Sequence, residues 1–217
     1  NYMSDLDNSE LFQINADLVK MTELVGQAIT DATKALLTGD VSLAQQVISG
    51  DEPLNELNAK IEDECFQITS TQAPVARKLR TVMSAVRMAT SLERMGDLAV
   101  HIAKQVRLRY PNPAIPAELQ DTFGEMGNAA RRIVKKTGEV LDTHDASLAE
   151  QIAIYDDELD RLHRELFMKV LSDDWAHGVE AAIDVTLLSR FYERFGDHAV
   201  TVARRLVHVV TGEPYGR

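Results

Sequence analysis

Apolar residues recur every three to four positions along most of the chain, and strictly alternating strand patterns are absent. This spacing predicts amphipathic helices whose apolar faces meet in a bundle. The first helix should begin with Ser9 as its N-cap and end at Gly39. Its apolar positions step by three and four residues and are Ile14, Leu18, Met21, Val25, Ala28, Ala32 and Ala35.

Proline and glycine divide the rest of the chain into further helical segments. A second segment is expected over about 40–69, with a break or bend at Gly50 and Pro53. A third segment has Pro74 in its first turn and continues to the sequence YPNPAIP at 110–116, whose three prolines indicate a linker. The helical pattern then restarts in three segments, over about 123–140, 145–171 and 178–210.

The two halves of the chain carry similar sequences in the same order. SLERMGDLAVHIAK at 91–104 is matched 100 residues later by FYERFGDHAVTVAR, and at an offset of 105 Asp51 corresponds to Asp156. The difference between the offsets falls between the second and third helices of the unit, where a loop can shorten at little cost. The sequence therefore predicts an all-α protein with six long helices, built as two pseudo-twofold-related three-helix bundles at 9–110 and 117–212.

Composition restricts the class of protein. The 34 acidic residues outnumber the 23 basic ones, and the net charge of −11 disfavours binding to nucleic acid or to anionic membrane surfaces. No apolar run approaches the roughly 20 residues of a membrane span, and the polar N-terminus lacks the pattern of a signal peptide. The single cysteine, Cys65, cannot form an internal disulfide and suits a reducing compartment. We therefore expect a soluble, cytoplasmic protein.

Acidic side chains are stacked one helical turn apart in both repeats. Glu93, Asp97 and His101 form one polar stripe, and Glu193 with Asp197 form its counterpart. Positions four apart differ by only about 40° around a helix, so both stripes should point outward, away from the apolar seam. Carboxylate oxygens converging from one side can share a divalent cation.

The alternative is a solvated helix face without a metal. Arg94 lies three residues before Asp97, and Arg194 three before Asp197, which is a good spacing for ion pairs within a helix. A like-charge pair four residues apart costs only about 0.2–0.5 kcal/mol, so the protein could tolerate it. The glycine inside each motif is of the kind that permits close approach, and its repetition at matched positions favours the metal site. Both interpretations stay open at this point.

A second polar pair is also repeated. It consists of Asp51 with Asn55 and of Asp156 with Asp160, and helix capping by Asp51 and Asp156 is the favoured interpretation on sequence alone. His198 should point away from the carboxylates and is interpreted as a residue that faces a partner or the edge of the core.

Several chemistries lack their usual residues. The chain has no Glu-x-x-His pair for a di-iron centre, no glycine loop for a phosphate, no zinc-binding cysteine set and no nucleophile elbow. A metal-dependent enzyme or metal store using the same carboxylates, and a helical adaptor without metal, remain as alternatives.

The same motifs resemble those of the PhoU family of phosphate-uptake regulators. The resemblance covers almost the whole chain and is carried by VISGDEPLNEL, QAPVARKLR, LERMGDLAVHIAK and YERFGDHAVTVARRLVHVVTGE. The YPNPAIP linker is similar to that of actinobacterial members. The resemblance implies a cytoplasmic, non-enzymatic regulator that associates peripherally with membrane complexes. It would link the ATPase subunit of the phosphate-specific ABC transporter to a sensor histidine kinase, and repress the starvation response when phosphate is plentiful.

The resemblance also implies metal clusters, of iron or zinc first and of magnesium or manganese as alternatives. Asn55 stands where the strictest motif has an acidic residue, which weakens the site of the first repeat, and Lys78 stands where many members have Asp. Arg94, Arg194 and His198 are candidate partner-binding residues, and a homodimer is expected. The candidate metal ligands are Glu93, Asp97, Glu193, Asp197, Asp156, Asp160, Asp51 and His101.

Overall fold

The computed structural model describes residues 9–212, and helices account for nearly all of them. No strand occurs in this range, so the all-α prediction is confirmed. The first half contains α1 (Ser9–Thr38), α2 (Val41–Ser49), α3 (Glu52–Gln72) and α4 (Ala76–Arg109). The second half contains α5 (Gln120–Thr143), α6 (Ala149–Leu171) and α7 (Gly178–Thr211), with short 3-10 turns at Ala117–Leu119 and Ala146–Leu148.

The helix ends follow the glycine and proline signals with one exception. Gly39 ends α1 with a φ of +68°, a conformation that glycine adopts without strain. Gly50 caps α2, so the expected second segment is two helices, as the predicted break implies. The exception is Pro74, which was predicted to lie in the first turn of α4. It lies in the connection before that helix, because Ala73 is left-handed and Val75 is extended.

The two halves pack against each other along long antiparallel helix pairs. Helix α1 lies against α5, and α4 lies against α7, so these four helices form the centre of the molecule. Helix α3 covers α4, and α6 covers α7 at the other side of the same layer. In this arrangement α3, α4, α7 and α6 follow one another across one face.

Buried polar contacts join the halves. The hydroxyls of Thr33 on α1 and Tyr192 on α7 lie 2.7 Å apart, and Tyr192 is fully buried. Arg109 at the end of α4 donates two hydrogen bonds, of 2.7 and 3.1 Å, to the carboxylate of Asp184 on α7. Because the Asp184 side chain is only 9% exposed, this pair fixes how α7 lies along α4.

Within residues 9–212, none of the helices combines the length and the apolar character that crossing a bilayer requires.

Candidate metal centres

Three aspartates converge between α6 and α7. Asp156 and Asp160 of α6 and Asp197 of α7 each offer one oxygen, and these oxygens lie within 4.8 Å of one another. The Oδ1 atom of Asp156 is buried and accepts no hydrogen bond from the part of the chain that the structure describes. We call these three residues the second carboxylate cluster. An oxygen that is buried without a donor suits a cation as its partner.

Glycine inside each repeated motif makes room for the carboxylates of the neighbouring helix. A Cβ atom at Gly196 would lie 2.5 Å from Asp156 Oδ1 and 2.8 Å from Leu159 Cδ1. A Cβ atom at Gly96 would overlap Leu54 and lie 3.1 Å from Asp51 Oδ1. The prediction that these glycines permit close approach is therefore confirmed.

Burial and mutual repulsion raise the pKa values of the second cluster. Burial first, and then the charges of Asp160 and Asp197, raise the pKa of Asp156 to about 7. The pKa of Asp197 is also raised, by burial and then by the charge of Glu193. Glu193 itself is paired with Arg190 on its own helix. Such a cluster favours protons or a metal cation over bare charge.

The first carboxylate cluster consists of Asp51, Glu93 and Asp97, between α3 and α4. Burial, followed by the charge of Asp97, raises the pKa of Glu93 to about 7. The pKa of Asp51 is raised by the same two causes in the same order. Asn55 Nδ2 donates a 3.3 Å hydrogen bond to Asp51 Oδ2. Among residues 9–212, three carboxylate oxygens come within 4.8 Å of one another only in the second cluster.

The capping interpretation of Asp51 and Asp156 is wrong. Asp51 precedes α3, but its side chain makes no capping hydrogen bond, and Asp156 lies inside α6. Asp145, at the start of the preceding 3-10 turn, accepts from Ser147 N instead. The side chains of Asp51 and Asp156 reach the glycines of the adjacent helices, a position that sequence spacing could not reveal.

The predicted helical ion pairs are also absent from residues 9–212. Arg94 and Arg194 are exposed, and neither has a carboxylate oxygen within 4 Å. The reason is that Asp97 and Asp197 turn toward Asp51 and Asp156 on the neighbouring helices. The acidic side chains of the expected outward-pointing stripes therefore line clefts between helices, where Glu93, Asp97 and Glu193 are half-buried while Asp197 stays exposed.

The histidines occupy different surroundings. The His101 ring stacks on Phe191 across the two repeats, with ring centroids 5.4 Å apart, and it forms no ion pair with a carboxylate in the described range. Half-buried His198 has its pKa lowered by burial and then by the charges of Arg94 and Arg194. The structure thus brings the three candidate partner-binding residues together.

His163 lies one turn after Asp160, near the second carboxylate cluster. Its Nδ1 atom is 2.5 Å from the Ser189 hydroxyl, and its charge acts on Asp160. The Asp-x-x-His spacing was the available signal.

Comparison with known proteins identifies relatives across the chain. The family model "PhoU domain" matches residues 18–106 and 123–206. The "Phosphate-specific transport system accessory protein PhoU homolog 2" of Mycobacterium tuberculosis is 46% identical over 205 residues, covering 94% of this chain and 96% of the relative. The homolog 1 of Mycobacterium leprae is 43% identical, covering 94% of this chain and 92% of the relative.

Solved structures share the fold. PhoU from Pseudomonas aeruginosa superposes with a TM-score of 0.80 at 28% identity, covering 95% of this chain and 99% of that one. The phosphate transport system regulatory protein PhoU from Streptococcus pneumoniae superposes with a TM-score of 0.83 at 26% identity, covering 95% and 97% of the two chains. The predicted fold of two repeated helical units is confirmed by these neighbours.

Proposed function

Because the chain belongs to the PhoU family, we propose that it is an accessory regulator of a phosphate-specific transport system. The observation that carries this proposal is similarity over 94% of the chain to relatives named as accessory proteins of that system. The Streptococcus pneumoniae neighbour is named a regulatory protein of phosphate transport, which supports the same role.

The regulator acts in the cytoplasm, without catalysis, as a negative regulator of the phosphate-starvation response. It associates peripherally with the transporter ATPase subunit and with a sensor histidine kinase. Exposed apolar residues at Val179, Ile183 and Leu187, spaced one turn apart on α7, provide a surface that a partner helix could cover. Arg94, Arg194 and His198 provide a polar surface for the same purpose.

Deletion of the gene tests this regulatory role. We expect phosphate-starvation genes to be expressed in phosphate-rich medium in the deletion strain, and repression to return on complementation. A pull-down from membranes at high and low phosphate should recover the transporter ATPase and the kinase. Unchanged repression in the deletion strain would contradict the role.

We also propose that both carboxylate clusters bind metal ions, iron or zinc first, with magnesium or manganese as alternatives. Asp156, Asp160 and Asp197 would hold the metal of the second cluster, with Glu193 close by. Asp51, Glu93 and Asp97 would hold that of the first. The donorless Asp156 Oδ1 atom supports a bound cation, and among the candidate metals the purely oxygen donor set suits magnesium and manganese best. A bound cation would offset the repulsion among these carboxylates. His101, the remaining candidate ligand, is left out of this set because its ring stacks on Phe191.

Elemental analysis of the purified protein tests the metal proposal. Asp156→Asn/Asp197→Asn should lose the metal of the second cluster, and Glu93→Gln/Asp97→Asn that of the first. Glu150→Gln, an exposed carboxylate of the same helix as Asp156, is the control. Equal metal content in all four proteins would contradict metal binding at the clusters.

A homodimer is proposed on the same apolar surface of α7. Light scattering should give the mass of two chains for the natural protein and of one chain for Ile183→Glu. A single-chain mass for both would contradict it.

A further inference from the structure

The register of α4 against α7 is fixed by contacts at one end of the pair. Arg109 binds Asp184 at 2.7 Å, and further along, the ring of His101 stacks on Phe191 with centroids 5.4 Å apart. The helices run antiparallel, so moving back along α4 corresponds to moving forward along α7. About two turns from the His101–Phe191 pair, Arg94 therefore faces His198.

The same register places Arg194 opposite Leu98, beside His198 on its own helix. Arg94, Arg194 and His198 therefore form one group in the groove between α4 and α7, which we call the central arginine patch. Its floor is the buried Leu98 and the half-buried His198 ring, and both guanidinium charges act on that ring. The patch lies where the two repeats meet, between the two carboxylate clusters.

The guanidinium groups of the central arginine patch feel the charges of Glu93 and Asp197 on their own helices but form no direct ion pair with them. Neither Arg94 nor Arg194 has an ion-pair or hydrogen-bond partner among residues 9–212, although the chain carries a net charge of −11. The carboxylates nearest in sequence, Glu93, Asp97 and Asp197, are turned into the clefts with α3 and α6. Two cations are thus held side by side where acidic residues were available to pair with them.

An oxyanion provides the hydrogen-bond acceptors that the N–H donors of such a patch require. Each guanidinium presents a planar fork of N–H groups that can bind two oxygens of one anion, and an imidazole adds a further donor. A tetrahedral anion has enough oxygens to accept from both forks at once, whereas chloride does not.

We propose that the central arginine patch binds a tetrahedral oxyanion of the phosphate class. Arg94 and Arg194 each donate N–H groups to the anion, and His198 lines the floor between them. This site needs neither a metal nor a protein partner, so it goes beyond the function proposed above. The occupant is free inorganic phosphate. An acidic or phosphorylated side chain of a partner is the competing source of the same chemistry.

Calorimetric titration with inorganic phosphate tests the site. The full-length protein is first treated with a chelator, so that phosphate cannot bind through a metal, and ionic strength is held constant. We expect saturable binding that weakens by about tenfold or more in Arg94→Gln and in Arg194→Gln. Arg132→Gln, an exposed arginine on α5, is the matched control and should bind as the natural protein does.

Two results would overturn the proposal. One is the lack of saturable phosphate binding by the chelator-treated protein, which would leave a partner's side chain as the only oxyanion for the patch. The other is equal affinity in the Arg94→Gln and Arg194→Gln variants, which would place phosphate elsewhere. Circular dichroism confirms that each variant is folded, so that lost binding reports on the patch. Metal content is measured separately and decides the metal proposal independently.

Discussion

At the scale of single residues, Asn55 and Asp160 occupy corresponding positions in the two repeats but differ in charge. Asp160 contributes an oxygen to the second cluster, whereas Asn55 donates a hydrogen bond to Asp51 and offers no negative charge. Lys104 adds a positive charge near Asp51. The two clusters should therefore bind metal unequally, with the second the tighter.

Substituting either of these two residues should change the relative metal affinities of the two clusters. Asn55→Asp adds a carboxylate to the first cluster and should raise its metal affinity about tenfold, because cation affinity follows ligand charge. Asp160→Asn should lower that of the second by a similar factor. Titration against a competing chelator measures both, with Glu150→Gln as control. Unchanged affinity in both variants would argue against these ligand sets.

Spacing along the chain was sufficient to find the acidic residues but not their direction. Glu93 and Asp97 were predicted on one face because four residues make about one turn. Which neighbour that face meets depends on where α3 packs, and no local pattern encodes this position. The same reason explains the wrong capping interpretation of Asp156, whose side chain reaches a helix about 40 residues later in the sequence.

At the scale of helices, the glycine between the acidic residues controls the spacing of α6 and α7. Gly196→Ala places a methyl group against Asp156 Oδ1 and should lower the free energy of unfolding by about 1–3 kcal/mol, despite alanine's better helix propensity. It should also reduce the metal content of the second cluster. Urea denaturation of chelator-treated protein measures the first effect.

Gly124→Ala is the matched control for this substitution. Gly124 also lies within a helix, and its nearest neighbour would be Leu37 Cδ1 at 3.7 Å, an ordinary contact. Alanine there should stabilise the protein by up to about 1 kcal/mol. Equal effects of the two substitutions would show that α6 and α7 do not depend on the glycine.

The Arg109–Asp184 pair should contribute to holding α4 against α7. Asp184→Asn leaves the half-buried guanidinium with a neutral acceptor and should cost about 1–3 kcal/mol of unfolding free energy. Glu180→Gln removes a second, 77% exposed partner of Arg109 and should change it by less than about 1 kcal/mol. Thermal or urea denaturation distinguishes them, and equal losses would contradict a special role for Asp184.

Most helix ends were predictable because glycine and proline act locally. Gly39, Gly50 and the 110–116 linker gave correct boundaries. Pro74 was misplaced by two residues, since a proline fits both the first turn of a helix and the extended connection before it.

At the scale of the whole molecule, the acidic clusters should make the metal-free protein less stable as pH rises. The pKa values of Glu93 and Asp156 are raised to about 7 in the folded chain. Unfolded carboxyls release their protons near pH 4, so between about pH 4 and 7 the folded state binds more protons. The stability from these groups is present below that range and is lost as the pH rises through it.

Urea midpoints at pH 5, 6, 7 and 8 in the presence of a chelator measure this trend. We expect the midpoint to fall with pH, and the fall to be smaller in Glu93→Gln/Asp156→Asn. Saturating metal should restore stability at pH 7 to 8, because the cation replaces the protons. A midpoint that rises steadily over this range would contradict the pKa shifts.

The duplication was recognisable because the repeated motifs recur in the same order, at an offset of 105 residues early in the unit and of 100 residues in its last helix. The packing of one repeat on the other was not, since it depends on contacts such as Thr33–Tyr192 between residues 159 apart.

The lengthwise pairing of α1 with α5 and of α4 with α7 has a consequence for how the chain could be divided. Each half would leave exposed the helix faces that meet the other half, so fragments cut within 110–116 should be poorly soluble when produced separately. Produced together, they should recombine into a native-like heterodimer, which co-purification through a tag on one fragment would detect. A single repeat could replace the missing half with a second copy of itself. Such a self-associated repeat is the state from which a tandem gene could have arisen.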